Sequence, residues 1–328
     1  DHFGAIGIAR RRGPNSSRVA LGDEAALQAS TFWIVLDPES PNGHTLFADS
    51  ANNGPCGRAL VEELIPELER RYPLIARPEA RLLRGHSSGG WSTLWLALTY
   101  PTTFGATWST SPDPVDFRRF QLVDIYPRDN MYRQPPSDKA NPGTPPFNPD
   151  PAAWPDTPSY RRGDRVLMTV RHECRAEDIL GPNNTSAQQW DSWFAVFGPR
   201  GDDGYPAALV EPETGVIDRA IAEQYRRYDI AHLLRSDPAR YAPIFRSRVR
   251  LVVGGADNFY LNEAVALLKA DLDRVDPLPA DEPAPVGYIR IVPDLDHGTI
   301  FMSPELRGFA GEMLAHLRRS NLVPETKP

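Results

Sequence analysis

The sequence predicts an α/β fold: a mostly parallel sheet with helices on both faces, split by a long proline- and aromatic-rich insertion. Three observations carry that prediction. Short β-branched or apolar runs alternate with segments of helical periodicity, as strands joined by helical crossovers do. The alternation stops near residue 112 and resumes near residue 248. Between these points the text turns to proline, asparagine and aromatic residues, and the 34 prolines of the chain are densest there. Residues 1–111 and 248–328 are therefore expected to form the two parts of one core. Residues 112–247 are expected to form a lid over its site.

In chain order, residues 31–36 (Thr-Phe-Trp-Ile-Val-Leu) form a compact run ended by Asp37-Pro38 and predict a buried core strand. Residues 58–70 place Leu60, Val61, Leu64, Ile65 and Leu68 on one helical face and Glu62, Glu63 and Glu67 on the other; Pro66 predicts a bend. Residues 80–84 predict a strand, 88–99 a helix, and 105–109 a strand ending in Ser111-Pro112-Asp113-Pro114. From 112 to 162 the chain reads as irregular. Its Tyr126, Tyr132, Phe147, Trp154 and Tyr160 need a surface to pack on, which excludes a Gly/Ser-type linker. A strand is predicted at 165–170, a helix at 188–197 bearing Trp190, Trp193, Phe194 and Phe197, and one helix over 217–234. The alternation then returns with a strand at 249–253, a helix at 262–275, a strand at 286–292 and a last helix at 304–319.

The 328 residues, 41% hydrophobic and 24% charged, suit a globular enzyme, and the net charge of −7 argues against phosphate-backbone binding. The runs Arg10-Arg11-Arg12 and Arg161-Arg162 read as solvated surface, so no nucleic-acid partner is expected. No apolar stretch reaches the roughly 18–20 residues that span a bilayer. A first residue Asp1 leaves room for a removed leader, hence for a secreted or periplasmic location as well as a cytoplasmic one. Cys56 and Cys174 form no C-x-x-C pair, which argues against a zinc site or a redox dithiol and leaves a single disulfide open. His172-Glu173-Cys174 matches no metal-ligand spacing, and no metal or other cofactor is called for.

The chemistry concentrates on Gly85-His86-Ser87-Ser88-Gly89, a G-x-S-x-G run between the second predicted strand and its helix. A sharp turn there lifts the Ser87 hydroxyl above the carboxyl edge of the sheet. It also aims the Ser88 amide, at a helix amino end, toward an oxygen that becomes negative. The competing reading is a plain helix start with Ser87 as N-cap. A serine needs a base, and in the fold with this elbow the order along the chain is nucleophile, acid, histidine. Of seven histidines, only His297 follows a late strand, in Pro293-Asp294-Leu295-Asp296-His297-Gly298. Asp257 ends Val252-Val253-Gly254-Gly255-Ala256-Asp257 and is the leading carboxylate. Asp294 and Asp296 stand too close in sequence to His297 to take a bond from its ring easily.

These residues resemble the esterase family of α/β hydrolases that groups feruloyl and acetyl-xylan esterases, enterochelin esterases and mycolyltransferases. Val61-Glu62-Glu63-Leu64-Ile65-Pro66 is similar to its E-L-I-P helix. Arg84 to Trp91, then Tyr100-Pro101 and Phe104-Gly105, are similar to its G-H-S-x-G-G, Y-P and F-G stretches. The resemblance spans about 31–117 and 249–317. It implies an α/β-hydrolase fold with Ser87 as nucleophile, Asp257 as acid and His297 as base. It further implies an exported enzyme cleaving esters of polysaccharides or siderophores. The family's glycine-rich oxyanion loop before the 31–36 strand is not evident. Asp1-His2-Phe3-Gly4 reads as the tail of such a loop, which leaves the first strands to an amino-terminal segment or second chain. The expected activity is a serine carboxylic ester hydrolase acting on acyl esters of a carbohydrate or aromatic acid. An acyltransferase using the same three residues, and a non-catalytic carbohydrate- or partner-binding module, are the alternatives.

Overall fold

The computed structural model describes residues 4–7, 22–134, 154–278 and 284–324. Its central sheet has six strands: β1 (Gly4–Gly7), β2 (Ile34–Val35), β3 (Leu82–His86), β4 (Ala106–Thr110), β5 (Val249–Gly254) and β6 (Tyr288–Val292). Their order across the sheet is β6-β5-β4-β3-β1-β2. The four strands from β6 to β3 run parallel. β1 pairs antiparallel with both β3 and β2.

Every residue of β4 and β5 is buried, because helices cover both faces and leave no polar side to the strand. Val249, Leu251 and Val253 point to one face, where they join Trp91, Leu94 and Leu98 of the Ser88–Thr99 helix. Val252 points to the other, with Phe309 and Met313 of the Pro304–Arg319 helix. That alternation is the two-residue period of an extended chain.

The predicted insertion packs into this core. Phe117, Phe120, Trp190, Trp193, Phe197 and Tyr225 belong to the same hydrophobic cluster as Trp91 and Leu251, so its aromatics find the surface they require. Tyr126 is anchored by donating its hydroxyl to Asp229, and Phe147 lies outside the described residues. Beneath this layer, buried Asp116 accepts hydrogen bonds from Arg118 and Arg235, and both guanidiniums also reach Asp271.

Several expectations need correction. Within 31–36 only Ile34–Val35 pairs, at the sheet edge, and Val35 is 63% exposed; a strand with one neighbour leaves its outer edge unpaired. The strand predicted at 165–170 is present at 165–169, and it pairs with 158–162 in a hairpin apart from the main sheet. The 217–234 helix is broken into Arg219–Tyr225 and Ile230–Ser236. Asp229 adopts extended backbone there and caps the second helix by accepting from the His232 N–H. The bend at Pro66 takes the form of a π-helical turn, Ala59–Leu64, leading into the helix Ile65–Arg71. The wider turn accommodates a residue with no N–H to donate. Cys56 and Cys174 are both free thiols, so the disulfide left open is not formed.

Two helices in the insertion escaped the sequence reading. Val170–Leu180 buries only Val170, Cys174 and Glu177, a stripe at helical spacing that includes a carboxylate and therefore lacks an apolar signature. Pro238–Arg248 contains Pro243 and starts with Pro238, whose missing N–H is harmless in the first turn.

Candidate active site

β3 delivers Ser87 to the carboxyl edge of the sheet, and the Ser88–Thr99 helix begins at the next residue. Ser87 has φ 55° and ψ −125°, a conformation that costs a non-glycine residue about 1–3 kcal/mol. The surroundings hold it there. The Ser87 N–H donates to the Thr110 carbonyl at 3.0 Å, and the Ser87 carbonyl accepts from Trp91 at 3.1 Å and Asp113 at 3.3 Å. Gly85 is the glycine the turn cannot replace: a Cβ there would lie 2.1 Å from the Gly89 carbonyl oxygen. The helix thus starts by passing directly over the strand, and the plain N-cap reading fails. Ser87 makes no side-chain cap.

Asp257 and His297 arrive from two further loops, after β5 and β6. These loops are stitched together by their backbones: Gly255 N–H donates to Val292 O at 2.7 Å and Ala256 N–H to Leu295 O at 2.9 Å. Gly254 permits this approach, since a Cβ on it would lie 2.1 Å from Leu295 O. His297 Nδ1 lies 2.8 Å from Asp257 Oδ2, and the carboxylate is wholly buried. Its other oxygen, Oδ1, accepts from the Phe259 N–H at 2.9 Å and, more weakly, from Leu261 at 3.4 Å. The two backbone donors fix the carboxylate, and the carboxylate in turn determines how the imidazole faces.

One of the two rival carboxylates is engaged elsewhere. Asp296 caps the turn that follows it, accepting from Gly298, Thr299 N–H and the Thr299 hydroxyl, and these bonds hold its pKa below the usual carboxylate range. His316 bonds the Glu79 carbonyl at 3.0 Å, and burial pushes its pKa down. The His86 ring leans on His297 with centroids 4.4 Å apart, while Phe259 meets His297 edge-on at 5.0 Å.

Ser87 and Phe259 line one cavity of about 460 Å³, walled by residues of the insertion, Trp193 and Glu177 among them. Three residues of this region were not singled out from sequence. Asn258 accepts from the His297 N–H at 3.1 Å and donates to the Arg161 carbonyl at 2.8 Å, tying the histidine loop to the 158–169 hairpin. Asp113, buried beside the elbow, accepts from the Ser88 hydroxyl, Gln189 Nε2 and Trp193 Nε1. Gln121 lies 2% exposed on the cavity wall with φ 57°. A helix-period or motif reading carries no signal for any of them. Asp1–Phe3, the expected oxyanion-loop tail, lie outside the described residues. The sheet position beside β3 is taken by β1 of this same chain, running antiparallel.

Comparison with known proteins follows the geometry. Residues 48–197 match the family model described as "Putative esterase". No curated protein matches the sequence. Among solved structures, a ferulic acid esterase is similar at 12% identity and a TM-score of 0.39, covering 82% of this chain and 64% of its own length. The chain thus spans less than two thirds of that protein. A monoacylglycerol lipase from Paleococcus ferrophilus is similar at 15% identity and a TM-score of 0.38, covering 90% and 88%. A carboxylesterase structure from Nitrososphaera gargenis is similar at 14% identity and a TM-score of 0.38, covering 91% and 85%. The matched segment, residues 48–197, contains the elbow together with β3, the Ser88–Thr99 helix and β4.

Proposed function

We propose that the protein is a serine carboxylic ester hydrolase in which Ser87 attacks the acyl carbon, His297 carries the proton and Asp257 holds the imidazole. One observation carries this reading: a serine in left-handed backbone at a strand-to-helix turn shares a cavity wall with Phe259, whose ring packs on a histidine bonded to a buried aspartate. Three loops far apart in sequence supply these groups.

On this reading His297 Nδ1–H donates to Asp257, which leaves Nε2 as the atom that accepts the Ser87 proton. The serine oxygen bonds to the acyl carbon and the carbonyl oxygen gains the charge. The Ser88 N–H, the first amide of a helix, is one donor to that oxygen. Collapse expels the alcohol, protonated by the imidazolium, and leaves an acyl-Ser87 ester. Water, deprotonated by the same imidazole, releases the acid and restores the serine. The side chain of Ser88 is already committed to Asp113, so it does not compete as nucleophile. Trp193 and Phe259 on the cavity wall favour acyl esters of an aromatic acid or a carbohydrate, both of which stack on rings.

Ser87→Ala tests the reading. The variant is expected to lose turnover of 4-nitrophenyl acetate by about 10⁴-fold or more and to escape labelling by a fluorophosphonate probe, with its far-ultraviolet spectrum unchanged. Undiminished turnover would refute the assignment.

A further inference from the structure

The cavity beside Ser87 is lopsided in its chemistry. Glu39, Asp113, Glu173 and Glu177 line it, and among the described lining residues there is no lysine or arginine. Glu39 stands at the exposed rim, Glu173 is half-buried, and Asp113 and Glu177 are buried. The carboxylates are held in place by bonds to the insertion: Glu173 accepts from Trp190 Nε1 at 2.9 Å, and Glu177 accepts from the Trp190 and Asp191 N–H groups at 3.1 and 2.8 Å. None of these partners carries a positive charge. Burial accordingly pushes both Glu173 and Glu177 above the usual carboxylate range, Glu177 to about 7.

An independent feature points the same way. The Oε1 of Gln121 is buried and has no hydrogen-bond partner, although the residue lies on this wall and is 2% exposed. A buried acceptor without a donor costs about 1–3 kcal/mol, a penalty a ligand bringing a donor would relieve. Trp193 and Phe259 add aromatic side chains to the lining, a residue type whose ring faces attract cations and not anions. The wall therefore offers acceptors, carboxyl groups that ionise when a cation lies beside them, and aromatic rings.

We propose that this cavity binds a group bearing a primary ammonium, so that the ester hydrolysed at Ser87 carries a protonated amine, with Gln121 Oε1 accepting one N–H and the Glu173–Glu177 pair supplying the counter-charge. The inference rests on the ester-hydrolase reading for its substrate but not for the binding site itself. Anionic ligands of the same length are rejected, since among the described lining residues there is no lysine or arginine to receive them.

The experiment uses the full chain and three ligands of one length: pentylammonium, 1-pentanol and pentanoate. Each is titrated calorimetrically into Ser87→Ala and assayed as an inhibitor of 4-nitrophenyl acetate turnover by the unsubstituted protein. Pentylammonium is expected to bind at least about tenfold more tightly than pentanol, with pentanoate weakest. Glu173→Gln, which keeps an acceptor for Trp190 while removing the charge, and Gln121→Leu are each expected to weaken pentylammonium about five- to tenfold and pentanol by less than about twofold. Equal or tighter binding of pentanol or pentanoate would overturn the inference, as would ammonium affinity unchanged in both variants. If 4-nitrophenyl acetate is not turned over while pentylammonium still binds selectively, the catalytic reading fails and the site stands. If turnover depends on Ser87 and the three ligands bind alike, the site fails and the catalytic reading stands.

Discussion

Replacing Asp257 by asparagine changes one atom of the carboxylate and, on the proposed mechanism, reverses the proton arrangement of His297. The carboxylate uses one oxygen for His297 Nδ1 at 2.8 Å and the other for the Phe259 and Leu261 N–H groups. Asparagine has one oxygen and one NH₂. If the oxygen stays toward the two backbone donors, the NH₂ faces Nδ1. The ring must then present a lone pair there and carry its proton on Nε2, the atom that has to accept from Ser87. If the amide flips, the NH₂ confronts two N–H groups in a fully buried site, and the main orphaned donor costs about 1–3 kcal/mol, the weaker one less. A penalty of about 2–4 kcal/mol favours the unproductive tautomer by about 30- to 1,000-fold. Loss of the charge that steadies the imidazolium adds to this, so kcat is expected to fall about 10³–10⁴-fold. Stopped-flow and steady-state turnover of 4-nitrophenyl acetate, with circular dichroism to verify folding, measure it. A folded Asp257→Asn protein that keeps more than a tenth of its kcat would refute the reasoning, because the tautomer argument leaves no route to so small an effect.

Three further outcomes follow from the packing. Gly85→Ala places a Cβ 2.1 Å from the Gly89 carbonyl and is expected to abolish activity or soluble expression, whereas Gly308→Ala, with open space around it, should be nearly silent in a thermal melt. Asp116→Ala leaves Arg118 with Asp271 and Arg235 with Asp271 and the more distant Asp229, and urea denaturation should register a loss of about 3 kcal/mol, the lower end for breaking a buried pair. Glu177 is buried with its pKa raised from 4.5 to about 7, so the folded state prefers it protonated. Its favourable contribution is complete below about pH 4.5 and is lost as pH rises through about 7, a span worth about 3 kcal/mol. Glu177→Gln should therefore flatten the decline in stability between about pH 5 and 7.5; an unchanged slope would show that Glu177 is ionised at no cost.

Sequence by itself determined the alternation of strand and helix, the elbow and the two late loops. Those signals are local: apolar runs with period two or 3.6, and glycines where backbone must turn. Helices 88–99 and 304–319 and the strands β3 to β6 lie within a few residues of where the pattern puts them. Tertiary structure decided what depends on neighbours. Residues 31–36 look like a core strand, yet only two of them pair, since a β-branched run is the same text at a sheet edge and at its centre. No helix is read between the strand predicted at 165–170 and the helix predicted at 188–197, because Val170–Leu180 buries a glutamate whose value appears only once the Trp190 and Asp191 amides lie against it. Gly254 is one glycine among many until the Leu295 carbonyl is seen pressed against it, bringing the Asp257 loop and the His297 loop within hydrogen-bond reach. The Gln121 acceptor and the carboxylates around it likewise have no pattern in sequence, because a cavity is made by residues that the chain separates and only packing brings together.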